Sequence, residues 1–168
     1  ETAPQHVKLA AIDAINNGYT KYTNIEGIPE LRQSIVEKFK KDNDLNYDIS
    51  NVIVGTGGKQ ILFNALMSSL NKDDEVIIPA PFWVSYPDMT LLAGGKPIFV
   101  NCTQDTNFKL TGVALEKVIT KKSKWLILNS PSNPTGSCYS MSELEEIANV
   151  VRKYDDIYVM TDDIYEYI

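Results

Sequence analysis

The chain has 168 residues, 43% of them hydrophobic and 23% charged, which is typical of a soluble globular domain and excludes a disordered or collagen-like chain. Its 22 Asp and Glu outnumber its 16 Lys and Arg, and the resulting formal net charge of -6 argues against binding to nucleic acid. No apolar run is as long as a membrane span, the first residues lack the pattern of a signal peptide, and a single histidine, His6, excludes a histidine-based metal site.

The first part of the chain predicts two amphipathic helices joined by a polar loop. In the first helix Thr2 is the expected N-cap, Gln5 stands in the capping-box position, and Gly18 ends the helix. The second helix is expected to begin at Pro29, because proline is favoured at the first helical position. Apolar residues recur at helical spacing in both segments: Val7, Ala10, Ala11, Ala14 and Ile15, then Leu31, Ile35, Val36 and Phe39.

Five short apolar runs follow, and they predict the strands of a mostly parallel sheet. The runs cover residues 52–54, 75–78, 97–100, 125–128 and 157–160. Helices are predicted over residues 59–70, 111–119 and 142–154, whereas the segment after Pro81 is ambiguous. Because the runs lack polar alternation and alternate with helical segments, we expect an α/β architecture, with a sheet sandwiched by helices. No linker or repeat divides the chain.

Ligands of open parallel sheets bind beyond the carboxyl ends of the strands, so the residues after each run are the candidates for function. The first run is followed by Gly-Thr-Gly-Gly-Lys-Gln at 55–60, where backbone N–H groups at a helix N-terminus are suited to a phosphate. The alternative is a plain turn that needs glycine for positive φ. After the second run, Trp83 is a candidate for stacking on a flat heteroaromatic ring, or else belongs to the core or an interface.

Polar residues also follow the fourth and fifth runs. In the loop 129–136, Asn133 is placed to present its amide to a ligand, and a purely structural turn is the alternative. One X-Pro bond of this loop is a candidate for the cis isomer. After the fifth run, Asp162 is placed to accept a hydrogen bond from a protonated ring nitrogen and Tyr165 to bond a ring oxygen. The alternative for Asp162 is the N-cap of a helix.

The order of these motifs resembles the class I aminotransferases, pyridoxal 5′-phosphate (PLP) enzymes of the aspartate aminotransferase fold, and especially the bacterial aspartate aminotransferase subgroup. The motifs are Tyr-x₄-Gly at 22–27, Gly-Gly-Lys at 57–59, Pro-x-Trp at 81–83, Asn-Pro-Thr-Gly at 133–136 and Asp-x-x-Tyr at 162–165. The resemblance covers essentially the whole chain, and it implies that residues 1–168 are a partial PLP-binding large domain.

The resemblance implies specific contacts to the ring of the cofactor. Trp83 would stack against the pyridine ring and contact the substrate. Asn133 and Tyr165 would hydrogen-bond the phenolic oxygen of the ring, and Asn133 would also touch the α-carboxylate of the substrate. Asp162 rather than Asp163 would pair with the pyridine nitrogen and keep it protonated.

Further contacts concern the phosphate and the substrate side chain. The resemblance implies that the backbone N–H groups of Gly58 and Lys59 hold the phosphate, and that Tyr22 reaches the phosphate of a neighbouring subunit. A homodimer follows from this role of Tyr22. The Lys59 side chain resembles the subgroup's contact to an acidic side-chain carboxylate, which favours aspartate as a substrate.

Three parts that the family needs have no match in this sequence. The Schiff-base lysine is expected beyond Ile168, and neither Arg32 nor Arg152 matches the arginine that binds the substrate α-carboxylate. The amino-terminal segment with its substrate-contacting glycine has no counterpart either. The partner strand of the run 52–54 is likewise expected outside this chain. We therefore expect a piece of a longer enzyme, with no catalytic residue of its own and no activity alone.

The function that the resemblance implies is transamination from L-aspartate to 2-oxoglutarate, which gives oxaloacetate and L-glutamate. An aromatic or prephenate aminotransferase is an alternative within the family, and a non-catalytic module that binds PLP or phosphate is the alternative outside it. The two cysteines, Cys102 and Cys138, do not form a C-x-x-C motif and predict a reduced, cytoplasmic setting. The expected ligands are an amino acid and a 2-oxo acid, with no metal, membrane or nucleic acid.

Overall fold

The structure, a computed structural model, describes residues 2–168, and the chain divides into two compact units, Glu1–Thr56 and Gly57–Ile168. The first unit contains helices α1 (Gln5–Asn16) and α2 (Pro29–Asn43), and Pro29 occupies the first turn as predicted. The predicted capping box of Thr2 and Gln5 is wrong. Pro4 is the N-cap, because the helix begins only at Gln5, and the Thr2 hydroxyl accepts a hydrogen bond from Lys8 instead.

A buried arginine organises the first unit. The Arg32 side chain on α2 donates to the carbonyl of Val52 at 2.9 Å, to the carbonyl of Ile49 at 2.6 Å and to Glu26 Oε1 at 3.2 Å. Gly27 has a φ of +105°, and a Cβ on it would lie 2.8 Å from the Val54 side chain. Glycine is therefore required where the loop passes this segment.

The run 52–54 joins no ladder among residues 2–168, and its partner strand is the one expected outside this chain. Its backbone groups have other partners, because Val54 N donates to the carbonyl of Glu26 at 2.9 Å and Arg32 occupies the carbonyl of Val52. An extended segment becomes a strand only beside a second strand that satisfies its backbone groups.

The second unit is built on a parallel sheet of four strands. These are β1 (Glu75–Ala80), β2 (Lys96–Asn101), β3 (Ser123–Asn129) and β4 (Tyr158–Asp162), in the order β2-β1-β3-β4. Every neighbouring pair is parallel. The structure thus confirms the last four predicted runs and the parallel arrangement.

Four helices connect and cover these strands. They are α3 (Gly58–Ser69), α4 (Ser85–Leu92), α5 (Gly112–Val118) and α6 (Met141–Val151). The ambiguous segment after Pro81 therefore includes a helix, α4. Helix α6 ends earlier than predicted, so that Arg152 is its C-cap rather than a residue within it. No helix among residues 2–168 has both the length and the apolar character that crossing a membrane requires.

Alternate residues of the central strands point to opposite faces, and each face is buried under helices. On one face Ile77 and Leu126 pack with Leu115 of α5 and with Ile147 of α6. On the other face the cluster holds Val76, Ile78, Ile127 and Met160 together with Leu66, Tyr86 and Met89 of α3 and α4. This arrangement confirms the predicted sandwich and leaves the strand ends open for a site.

An ion pair reinforces the capped start of α6. Ser140 N donates to Glu143 Oε2 at 2.7 Å, Glu143 N donates back to Ser140 Oγ at 3.3 Å, and Lys109 Nζ lies 2.5 Å from Glu143 Oε1. The hydrogen bond from Lys109, followed by that from the Ser140 backbone, lowers the pKa of Glu143 to about 2. The carboxylate is therefore stabilised mainly in its ionised form.

Replacing Glu143 by glutamine is expected to remove an acid-dependent part of the stability. Because the folded-state pKa of Glu143 is depressed, its contribution is present above about pH 4.5 and is lost as the pH falls towards about 2. The urea midpoints of wild type and Glu143→Gln should therefore converge over this interval. The exposed residue Glu146 on the same helix provides the control, Glu146→Gln. A midpoint difference for Glu143→Gln that is constant with pH would contradict the assignment.

Candidate functional site

A cavity of about 340 Å³ opens at the carboxyl ends of β3 and β4, beside the first turn of α3. Its volume is in the range of small-molecule sites, roughly 300–1,000 Å³. Six residues that the sequence analysis singled out line this cavity: Gly58, Lys59, Trp83, Asn133, Asp162 and Tyr165. The structure thus brings together residues that are up to 107 positions apart in the chain, from Gly58 to Tyr165 (165 − 58).

The first turn of α3 forms one end of the cavity. Gly57 is its N-cap with a φ of +84°, a conformation that favours glycine. Gly58 and Lys59 follow in the first turn, where backbone N–H groups have no acceptor within the helix and the helix dipole favours an anion. A Cβ on Gly58 would meet no atom within 4 Å, so the space beside this backbone is open. The positive φ of Gly57 is what the turn alternative predicts, and the contact of the first turn with a phosphate stays a prediction.

An aromatic and cationic wall lies next to this helix end. Trp83 is half-buried between β1 and α4, and its ring is edge-on to that of Tyr86, with a centroid distance of 5.4 Å and an interplanar angle of 86°. Lys59 Nζ lies 4.9 Å from the centroid of the Trp83 ring, within the range of a cation–π interaction. Trp83 therefore packs against the core, as its alternative predicted, and it also lines the cavity, whereas its stacking on a flat ring stays a prediction.

Asp162 is the last residue of β4, and two side chains hold it. Tyr86 OH donates to Asp162 Oδ2 at 2.7 Å, and Asn129 Nδ2 donates to the Asp162 carbonyl at 2.5 Å. Burial, and then the hydrogen bond to Asp162, raise the pKa of Tyr86 well above its usual value, so the phenol stays a donor. The alternative that Asp162 caps a helix is wrong, because no helix follows it within residues 163–168 and residues 164–167 form a turn.

The loop after β3 places Asn133 beside Tyr165. Asn133 N donates to Asn129 Oδ1 at 2.7 Å, and Asn133 Nδ2 lies 3.5 Å from Tyr165 OH. These two polar groups are close enough to bind one ligand oxygen together. The Ser130–Pro131 and Asn133–Pro134 bonds are both cis, although only one was a candidate, and the unpredicted Ala80–Pro81 bond is cis as well.

Sequence reasoning missed Tyr86 and Asn129. Asn129 had a detectable pattern, since it directly follows the predicted strand 125–128, whereas Tyr86 belonged to no motif. Tyr22 belongs to the first unit, where its side chain is fully exposed, and its contact with a neighbouring subunit stays a prediction. The cofactor and substrate roles of the six cavity residues likewise stay predictions.

Comparisons with known proteins identify relatives over nearly the whole chain. The family model for aminotransferase class I and II matches residues 1–168. A probable aspartate/prephenate aminotransferase of Rickettsia bellii is 62% identical over 165 residues, which are 98% of this chain and 41% of the relative. This chain thus spans about two fifths of the length of that relative.

Two solved structures share the fold. The crystal structure of the aspartate aminotransferase from Rhizobium meliloti has a TM-score of 0.97 at 47% identity, and the match covers 98% of this chain and 41% of that one. The aspartate aminotransferase from Thermus thermophilus with maleate has a TM-score of 0.94 at 42% identity, over 97% of this chain and 42% of that one.

Proposed function

The chain belongs to the aminotransferase class I and II family, and we propose on that premise that it is part of the PLP-binding large domain of an aspartate aminotransferase. The whole enzyme would transfer the amino group of L-aspartate to 2-oxoglutarate, which gives oxaloacetate and L-glutamate. The observation that carries the proposal is the single cavity where a helix N-terminus, an aromatic ring, a carboxylate and an amide–phenol pair meet.

These groups fit PLP one by one. The first turn of α3, with open space beside Gly58, suits the phosphate, and the Trp83 ring suits the pyridine ring. Asp162 suits a protonated ring nitrogen, because it lines the cavity and the hydrogen bond from Tyr86 engages only its Oδ2. Asn133 and Tyr165 suit the ring hydroxyl.

The chain's own residues would bind and orient rather than exchange the reacting proton. When bound, PLP supplies a ring that accepts the electrons left when an amino acid loses its Cα proton. Asp162 would hold the proton on the ring nitrogen, and Trp83 would keep water from one face of the ring. We propose that the lysine and the arginine that the reaction also needs belong to the rest of the protein.

The position of Lys59 supports an acidic substrate. Its ammonium group lies over the ring of Trp83, on the wall that a substrate side chain would face, and it offers charge to a second carboxylate. Maleate, which accompanies the Thermus thermophilus relative in its solved structure, is a dicarboxylate. Prephenate also carries two carboxylates and appears in the name of the Rickettsia bellii relative, so prephenate transamination is the second candidate. We propose a homodimer in which Tyr22 contacts the phosphate of the other subunit.

Borohydride reduction of the intact, PLP-saturated protein tests the assignment to this class. We expect peptide mass spectrometry to find a pyridoxyl-lysine outside residues 1–168. If no lysine is labelled although PLP binds, the protein is a non-catalytic binding module and the transaminase proposal fails. If an adduct is found, the kcat/KM for aspartate as the amino donor is compared with the kcat/KM for prephenate as the amino acceptor. This comparison decides between the two substrates.

A further inference from the structure

We propose that Tyr86 is a positioning residue, which holds the Asp162 carboxylate in the orientation that pairs with the protonated ring nitrogen of the cofactor. The inference rests on the proposed function, because it concerns how this chain presents Asp162 to PLP. Tyr86 belongs to none of the motifs in the sequence, and its role follows from its contacts in the structure.

The contact itself is short and specific. Tyr86 OH lies 2.7 Å from Asp162 Oδ2, although the two residues are 76 positions apart. A hydroxyl that donates to a carboxylate at this distance forms a charge-assisted hydrogen bond, which is stronger than one between neutral groups. The bond engages Oδ2 and restricts rotation of the carboxylate, and Asp162 itself lines the cavity.

Tyr86 can fix Asp162 because its own ring is held firmly. The residue is 2% exposed and lies in the cluster that covers one face of the sheet. Its ring is edge-on to Trp83, its N–H donates to the Trp83 carbonyl at 3.1 Å, and its carbonyl accepts from Thr90 Oγ1 at 2.9 Å. The position of the phenol oxygen is therefore set by the core between β1 and α4.

The second anchor of Asp162 acts on a different group. Asn129 Nδ2 binds the backbone carbonyl of Asp162, whereas Tyr86 binds its side chain. Removing the Tyr86 hydroxyl would leave the main chain of β4 in place and free the carboxylate to rotate. The expected consequence is weaker cofactor binding without loss of the fold.

The test is the substitution Tyr86→Phe, which keeps the buried ring and removes only the hydroxyl. The PLP dissociation constant of the intact apoprotein is measured by fluorescence titration, in the wild type and in an Asp162→Asn background. Tyr86→Phe is expected to weaken PLP about 10–100-fold in the wild type, the range for one hydrogen bond to a charged group. In the Asp162→Asn background the same change should cost less than about threefold, because Tyr86 then orients an uncharged amide that cannot pair ionically with the ring nitrogen.

Tyr139→Phe is the matched control. Its side chain is partly buried, its oxygen accepts a hydrogen bond from Leu110 N at 2.8 Å, and the residue packs against the cluster on the opposite face of the sheet. This control should leave the PLP dissociation constant within about twofold of wild type. Thermal unfolding of both apoproteins measures any general loss of stability.

The outcomes separate the inference from the proposed function. Equal PLP affinity in wild type and Tyr86→Phe, or an equal loss in both backgrounds, would overturn the inference while the proposed function stands. A loss in Tyr139→Phe as large as that in Tyr86→Phe would also overturn it. Failure of the wild-type protein to bind PLP would overturn the proposed function and this inference together.

Discussion

Asp162→Asn is expected to lower kcat/KM for transamination by the intact protein roughly 10²–10³-fold, the cost of removing one preorganised electrostatic group. Asparagine has the shape of aspartate and can still accept the hydrogen bond from Tyr86 through its amide oxygen. It carries no negative charge, so it cannot hold the proton on the ring nitrogen of the cofactor. Steady-state kinetics with aspartate and 2-oxoglutarate measure the effect.

The neighbouring residue provides the control for Asp162. Asp163 is exposed, and Asp163→Asn removes the same charge one position further along the chain. We expect its kcat/KM to stay within about twofold of wild type. Unchanged circular dichroism of both variants would show that the fold persists. Turnover of Asp162→Asn close to that of wild type would remove Asp162 from the assigned role.

Lys59→Met is expected to lower kcat/KM for aspartate about 10–100-fold, the range for loss of one charged hydrogen-bond partner. Methionine keeps the length of the side chain and the backbone N–H in the first turn of α3, so the phosphate contact should persist. Phenylalanine, which has no second carboxylate, should change by less than about threefold as a donor. The ratio of the two kcat/KM values is the measurement.

Lys72→Met is the matched control for Lys59. Lys72 is exposed in the loop before β1, at the opposite end of that strand from the cavity, and the change removes the same charge. Its ratio of aspartate to phenylalanine activity should equal that of wild type. Equal losses on both donors in Lys59→Met would show that the ammonium group does not recognise the side-chain carboxylate.

Most of the strands and site residues that could be predicted came from the apolar runs and from the residues that follow them. A buried parallel strand needs apolar residues on both faces, so β1, β2, β3 and β4 were visible as short unbroken runs. The carboxyl ends of parallel strands share one edge, which is why Asn133 and Asp162 could be expected at one site. The structure places them around one cavity.

Other features depend on contacts that no local pattern encodes. The run 52–54 has the composition of a strand, but strand formation requires a neighbour, and its carbonyl at Val52 binds Arg32 instead. Similarly, Thr2 had the right spacing for a capping box, yet the helix begins at Gln5 with Pro4 as its N-cap. Tyr86 meets Asp162 only through the packing of α4 against the sheet.

The order of the strands along the chain also sets the order in which the residues around the cavity are synthesised. A chain emerges from the ribosome with its N-terminal residues first. The strands β1, β2 and β3 are therefore available to pair before β4, which carries Asp162 and pairs with β3. A nascent chain at that stage already contains the first turn of α3 and Trp83, but it lacks Asp162, the acceptor for Tyr86. The hydrogen bond from Tyr86 to Asp162, and with it the proposed contact of Asp162 to the cofactor, can therefore form only after β4 has been synthesised and has paired with β3.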